Sequence, residues 1–259
     1  MDRQPVPEER ELSPRALPRF FVAPEVLKEG VLPSAVAHQV AHVLRLRSGD
    51  RICLLDGTGD AWIARLGERG QFRLIQQYPL TTEPPLEVVV LQALVRSEKL
   101  EQAIRLCVQG GVSAVWVAPS QRSVVKLEAS KGRTRQERWQ KIAAEEAELA
   151  CRARLPQIRL FEYWWEAFEA LPKPILVLDE WEHTRLLNAL LREWQAADMA
   201  SFQALALVVG PEGGFSPEER ARMAQSESVY AVSLGARVLR TESAGFYALA
   251  QLWACWEDN

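Results

Sequence analysis

The residues best suited to chemistry lie in two loops of the C-terminal half. The first is Val208-Val209-Gly210-Pro211-Glu212-Gly213-Gly214-Phe215-Ser216-Pro217-Glu218-Glu219. An apolar strand runs directly into three glycines, and without side chains there the backbone amides and carbonyls can approach a ligand closely. Ser216 then caps a helix with Pro217 at its first position and Glu219 at its third, a capping-box arrangement. The loop lacks the Lys-Ser/Thr of a nucleotide P-loop and does not match GxGxxG, which argues against a dinucleotide fold. On spacing alone, a tight strand-to-helix turn is an equal reading. The second loop is Val232-Ser233-Leu234-Gly235-Ala236-Arg237-Val238-Leu239-Arg240-Thr241-Glu242-Ser243-Ala244. A strand ends at Gly235, a short apolar turn carries two arginines, and Thr241 or Ser243 starts a helix. Alone it reads as a packed β-to-α connection. Paired loops at the carboxyl ends of strands are, however, where open α/β sheets bind ligands.

Other reactive types are scattered. His38 and His42 share a helical face, but no Glu adjoins His38 and the third histidine, His183, is distant, so helix packing or RNA contact is favoured over metal. Cys53, Cys107, Cys151 and Cys255 form no CxxC pair, which excludes a zinc module and a disulfide scaffold; Cys107 and Cys151 read as small core residues. No metal is expected. Trp164, Trp165, Trp181 and Trp194 suit base stacking, although aromatics in α/β domains more often fill cores.

The two loops need a scaffold, and the pattern supplies one in two parts. Residues 1–18, rich in Pro, Glu and Arg, read as a flexible arm, with order beginning at Arg19. Residues 19–80 read as a small β-barrel domain: a helix over 34–44, a strand over 51–55, the hairpin turn Asp56-Gly57-Thr58-Gly59 and further strands over 61–64 and 71–76. Residues 81–85 contain Pro84-Pro85 and form the linker. From 86 to 259 the pattern is α/β: strands over 87–94, 113–118, 175–178, 205–209 and 229–234 alternate with helices over 98–108, 135–152, 184–195, 217–225 and 241–256. That alternation predicts a mostly parallel sheet covered on both faces.

Composition narrows the class. The chain has 259 residues with 31 Lys plus Arg against 34 Asp plus Glu, a net charge of −3, and 48% hydrophobic residues. These are globular values, which exclude a chain disordered throughout. No apolar run reaches the roughly 18 residues of a membrane span, and the first 20 residues carry charges and four prolines where a signal peptide is apolar. A soluble cytoplasmic protein without membrane attachment is the expectation. Mild overall acidity argues against a general polyanion binder.

The ordered motifs resemble a known family. Gly210 to Ser216, the run from Ser233 to Ala244, Arg19-Phe20-Phe21-Val22, the His38 to Asp50 segment, Gln121 to Lys126 and Arg138 to Ala143 together resemble the RsmE family of 16S rRNA (uracil-N3)-methyltransferases, from about Arg19 to the C-terminus. The resemblance implies a PUA-like, RNA-binding barrel over 19–80 followed by a SPOUT methyltransferase domain with a deep trefoil knot. It further implies a homodimer, formed through the apolar final helix, that acts on 16S rRNA or the assembled small ribosomal subunit. S-adenosylmethionine would bind the knot loops, which carry over to Leu178, Asp179, Gly210, Pro211, Glu212, Gly213, Gly214, Leu234, Gly235, Val238, Leu239 and Arg240. Methylation at N3 requires loss of a proton, so Glu242 is the candidate acid/base or orienting group, and Arg237, Arg240 and Arg19 are candidate cationic stabilisers. Against these roles stand a first-turn acid favoured by the helix dipole at Glu242 and a surface Arg beside two buried Phe at Arg19.

The chain departs from the family pattern at Arg96, Gln109, Gly110, Leu149 and Ala150, positions expected to face substrate or knot. The departures motivate two rivals: a non-catalytic RNA-binding assembly factor on the same fold, and the same chemistry on another RNA such as tRNA. Charge is also unevenly divided. Residues 121–160 hold 10 basic and 5 acidic residues, a local +5, whereas 161–259 hold 7 and 15, a local −8. Arg122, Lys126, Lys131, Arg133, Arg135 and Arg138 are therefore the expected RNA track.

Overall fold

The computed structural model describes residues 13–126, 132–196 and 202–256. Lys131 and most of the arm expected over 1–18 lie outside the described residues. The chain forms two compact units, Met1–Glu83 with Ala147–Leu155, and Pro84–Glu146 with Pro156–Asn259.

In the first unit β1 (Arg19–Phe21), β2 (Arg51–Leu55), β3 (Asp60–Leu66) and β4 (Phe72–Pro79) form a sheet in that order, with β1 parallel to β2 and the remaining pairs antiparallel. Alternation sends Ile52, Leu54, Ala64, Leu66 and Phe72 to one core with Phe20 and Val40, and Cys53, Leu55 and Ala61 to the opposite face. Helix α1 (Pro24–Glu29) starts on a proline and ends at Gly30, whose φ of 70° is left-handed. Helix α2 (Ser34–His38) continues as a π turn over Gln39–Val43, so the helix expected over 34–44 is regular only in its first half.

Two expectations are corrected here. Residues 13–18 are ordered, because Pro14–Ala16 forms a 3-10 turn and the Arg19 guanidinium binds the carbonyls of Pro14 at 2.7 Å and Leu17 at 3.0 Å. Residues 147–155, expected in the second domain, belong to the first unit. Glu148 accepts the Phe21 amide at 2.8 Å, Thr82 donates to the Cys151 carbonyl at 2.8 Å, and buried Arg152 pairs with Glu83 at 2.6 Å.

The second unit is built on six strands: β5 (Glu87–Ala93), β6 (Ala114–Ala118), β7 (Gln157–Leu160), β8 (Ile175–Leu178), β9 (Ala204–Val209) and β10 (Val229–Val232). Their order is β10-β8-β9-β5-β6-β7 and every pairing is parallel. The chain steps outward from β5 to β7, crosses to β8, and then inserts β9 between β8 and β5. That reversal makes the carboxyl ends of β8, β9 and β10 the natural crevice for a ligand.

Leu91, Trp116, Val177 and Val208 point to one face, which α5 (Trp164–Glu169) and α7 (Pro217–Met223) cover with Trp164, Phe168 and Met223. Val90, Gln92 and Val209 point the other way, toward α3 (Ser97–Gln109) and α8 (Thr241–Trp256). A Cβ at Gly245 of α8 would stand 3.0 Å from Cys107 Sγ and 3.6 Å from Val90. Burial pushes the Cys107 thiol up to about 12, consistent with its core role.

Helix α4 (Gly132–Leu149) begins and ends three residues before the expected 135–152, and α6 (Leu187–Ala196) starts three residues late. The late start has a local cause. The Glu182 carboxylate accepts the Thr184 amide at 2.6 Å and the Arg185 amide at 2.9 Å, and Leu186 bridges to Ser233, so 182–186 is held as a loop. The Thr184 hydroxyl, which donates to the same carboxylate at 2.5 Å, and these two amides bring the Glu182 carboxyl down to about 2. No helix among the described residues is long and apolar enough to cross a membrane.

Candidate active site

A cavity of about 630 Å³ opens at the carboxyl ends of β8, β9 and β10, a size typical of small-ligand sites. Both glycine-bearing loops wall it. Of the residues expected around the cofactor, Leu178, Asp179, Gly210, Pro211, Glu212, Gly214, Leu234, Gly235, Val238, Leu239 and Arg240 line it; Gly213 does not. Gly213 instead gives its carbonyl to Arg122 Nη1 at 3.0 Å. Arg237 and Glu242 are also in the wall, and Arg19 belongs to the first unit.

The capping box forms as expected, with Ser216 Oγ accepting the Glu219 amide at 3.1 Å and the Glu219 carboxylate accepting the Ser216 amide at 2.9 Å. Buried Glu219 also accepts the Gln121 amide at 2.8 Å, tying the segment after β6 to this turn. A relay unseen in the sequence fixes the loop's first glycine. Gln92 Nε2 donates to Thr241 Oγ1 at 2.9 Å, and Thr241 Oγ1 donates to the Gly210 carbonyl at 2.7 Å. Thr241 is thereby joined to the strand and to the glycine loop at once. Nothing in residue spacing signals Gln92; its only mark is a polar residue in an apolar strand.

Asp179 lines the cavity with both oxygens occupied, Oδ2 by Arg220 Nε at 2.7 Å and Oδ1 by the Trp181 amide at 3.1 Å. It orients its own loop. Trp181 is exposed, 5.7 Å from the Arg220 guanidinium, while Trp164 and Trp194 are buried. Glu180 and His183, in the loop after β8, line the cavity too, and Lys99 joins them without having been expected there. Lys99 pairs with Glu212 at 3.0 Å; burial would raise the Glu212 carboxyl, but its own amide and Lys99 outweigh that and hold it below the ordinary carboxylate range.

Glu242 is the most unusual group in the wall. Its side chain is 7% exposed, Oε1 lies 3.9 Å from an Arg240 guanidinium that is 85% exposed, and Oε2 is buried without a hydrogen-bond partner. A buried acceptor left unmatched is costly and points to a donor brought by a ligand. The cavity fits S-adenosylmethionine in three respects: its volume, backbone left open at Gly235, where a Cβ would meet nothing within 4 Å, and the carboxylate of Glu242 in its lining.

The expected RNA track is only partly free. Arg133 pairs with Glu137 at 2.9 Å and Arg138 with Glu101 at 2.9 Å, while Lys126 and Arg122 are exposed and Arg135 is half-buried. Two of the family departures have packing roles. Gln109 donates to Glu146 at 2.7 Å, joining α3 to α4, and a Cβ added at Gly110 would stand 3.0 Å from Phe246, so glycine lets α8 approach. Leu149 is exposed. His38 and His42 stack on each other at 4.7 Å, and no cluster of three metal-ligating side chains occurs among the described residues.

Fold and site define a SPOUT-type RNA methyltransferase preceded by a PUA-like domain, and comparison with known proteins agrees. An RNA methyltransferase domain family matches residues 82–253, and an RNA methyltransferase PUA domain family matches 35–74. The chain belongs to the ribosomal RNA small subunit methyltransferase E family. It is 32% identical to the member from Synechocystis sp. over 93% of this chain and 78% of that one, and 31% identical to the member from Mycobacterium tuberculosis over 89% and 88%. The crystal structure of the Neisseria gonorrhoeae member, bound to S-adenosyl methionine, superposes with a TM-score of 0.78 at 25% identity, covering 93% of this chain and 98% of that one.

Removing the relay gives a first prediction. Gln92→Leu or Thr241→Val is expected to weaken cofactor affinity about tenfold, since one or two hydrogen bonds of ~1 kcal/mol each hold Gly210 in place. Calorimetric titration checks it. Unchanged affinity in both variants would show that Gly210 is held without the relay.

Proposed function

We propose that this chain transfers the methyl group of S-adenosylmethionine to N3 of a specific uridine in 16S rRNA, working as a homodimer whose loops form a deep trefoil knot. One observation carries the reading: both glycine-bearing loops converge on a single cavity whose lining includes Glu242, a buried acid with one oxygen unmatched. The cofactor, when bound, supplies an electrophilic methyl group. Glu242 receives the N3 proton or orients the base that does, and Arg237 and Arg240 at the rim stabilise the negative charge left on the uracil. Arg19, the further cation proposed from the family pattern, has its guanidinium on carbonyls of Pro14, Leu17 and Glu148 and would have to exchange these to act. Arg122, Lys126, Lys131, Arg133, Arg135 and Arg138 are proposed as the RNA track of the second unit, and the half-exposed Phe246 of α8 as part of the dimer contact.

The test is methyl transfer by the full chain to small ribosomal subunits from cells lacking the endogenous activity, with modified nucleosides identified by mass spectrometry. 3-Methyluridine in 16S rRNA is the expected product. Tight cofactor binding with no methylated uridine would favour the assembly factor, and methylation confined to tRNA would favour the other substrate.

A further inference from the structure

A second cavity, of about 520 Å³, opens at the carboxyl ends of the neighbouring strands β6 and β7. Tyr163, Trp164 and Trp165 reach it from the start of α5, Gln121 from the segment after β6, and Glu218 and Arg222 from α7. It backs onto the cofactor cavity through one pair of rings: Phe215 lines the first cavity, Trp164 lines the second, and their centroids are 5.6 Å apart. Glu219, also in the second lining, caps the helix that leaves the glycine turn.

Core packing does not account for these side chains. Tyr163 is 69% exposed and, although it precedes α5, its side chain makes no capping bond. Trp165 is half-buried, with the Arg222 guanidinium 3.9 Å from its ring centre. Glu169 holds that guanidinium at 2.8 Å, so a fixed cation–aromatic pair lines the cavity. Trp164 is 4% exposed and its Nε1 is buried without an acceptor, where a buried indole N–H ordinarily has one. Glu218 keeps its charge, because its own amide, the Ser216 hydroxyl and Arg122 hold its carboxyl below the ordinary carboxylate range. An anion fits this lining poorly: Glu218 and the exposed Glu162 repel it, and Arg222 is already paired. A flat aromatic group fits well if its edge offers an acceptor to an unmatched N–H and N–H donors to the acids. A nucleobase is such a group.

We propose that this cavity takes one unstacked base of the RNA substrate, a neighbour of the uridine that enters the cofactor cavity, with Tyr163 as its stacking platform. The inference rests on the RNA-methylating reading above and adds a base contact to the phosphate contacts of the basic track. Arg122 and Lys126, in the segment that leaves Gln121, bring that track to the edge of the cavity. Phosphate contacts position a strand, whereas a base held in a cavity selects the sequence beside the target.

The test compares the full chain with Tyr163→Ala and Tyr163→Phe, at an exposed position where neither change cuts into the core. Affinity for a 16S rRNA transcript is measured across a salt series, alongside Tm, cofactor affinity and methyl transfer. Tyr163→Ala should bind RNA about 5–150-fold more weakly, the loss of one base–aromatic stack, with the slope of log K against log salt unchanged because no phosphate contact is removed. Tyr163→Phe should retain affinity, and both variants should keep their Tm and cofactor affinity. Transcripts with single abasic sites beside the methylated uridine locate the base: at one position the abasic site should weaken the parent chain by the same factor and Tyr163→Ala no further. Wild-type affinity in Tyr163→Ala, a reduced salt slope, or additive losses at every abasic position would overturn the base site. A change in self-association without a change in RNA affinity would overturn it too, in favour of a contact with a second copy. If a 16S uridine is methylated while Tyr163→Ala binds RNA like the parent, the proposed reaction stands and the base site falls. If affinity falls at constant slope but no 16S uridine is methylated, the base site stands and the proposed reaction falls.

Discussion

Glu242→Gln is expected to slow methyl transfer at saturating cofactor and RNA by about 10²–10⁴-fold, the range of a lost general base. Glutamine matches the side chain's shape and keeps an oxygen acceptor, so the variant removes proton acceptance with little disturbance of the wall. Cofactor affinity should change much less than the rate, and Glu242→Asp should recover part of it by restoring the carboxylate at a shorter reach. The competing account is that Glu242 serves only as an acid in the first turn of α8, where the macrodipole favours it by ~0.3–1 kcal/mol. On that account Glu242→Gln lowers Tm slightly and leaves the rate alone. The unmatched Oε2 separates the two: a purely structural acid in a 93%-covered position would have both oxygens satisfied by the protein, whereas Oε2 has no partner and its residue lines the cavity. Single-turnover rates measured with Tm on the same preparations decide between them.

The elements legible in the sequence were those governed by short-range rules. Ser216, Pro217 and Glu219 specify their helix start chemically, and the expected bounds of α8 match Thr241–Trp256. Eleven of the twelve residues that the family resemblance placed around the cofactor line one cavity, because its motifs sit at strand-to-loop junctions and parallel strands align their carboxyl ends. What escaped depends on distant partners. Strand β7 has only four residues, one of them the charged Arg159, and it exists through pairing with β6. Helix α5 was hidden by Trp164 and Trp165, which read as an aromatic cluster rather than a helical turn. The return of 147–155 to the first unit follows from the bonds of Glu148, Cys151 and Arg152 to residues over 60 positions away, which no local pattern reports.

Gly235→Ala should weaken cofactor affinity by roughly 5–150-fold, equivalent to the ~1–3 kcal/mol of forcing a residue with a Cβ into glycine-favoured backbone space. The φ at Gly235 is 118°, well beyond the left-handed well that other residues visit, and Ser233 Oγ accepts the Gly235 amide at 3.3 Å, holding the turn. A Cβ there would meet no protein atom within 4 Å, so the substitution creates no clash with the rest of the chain. Its consequences are backbone strain, which moves the loop carrying Leu234, Val238 and Leu239, and a methyl group beside the cavity. Gly49 supplies the control. It also has a glycine-favoured φ, 99°, and also has nothing within 4 Å of a built Cβ, but it lies in the turn before β2, outside the cavity wall. Gly49→Ala should lower Tm by an amount comparable to Gly235→Ala and leave cofactor affinity intact. If the two variants lose Tm alike and both keep full affinity, the 234–240 loop does not hold the cofactor. A loss of affinity confined to Gly235→Ala would assign the loop to the binding site independently of any side chain in it, as expected where backbone groups make the contacts.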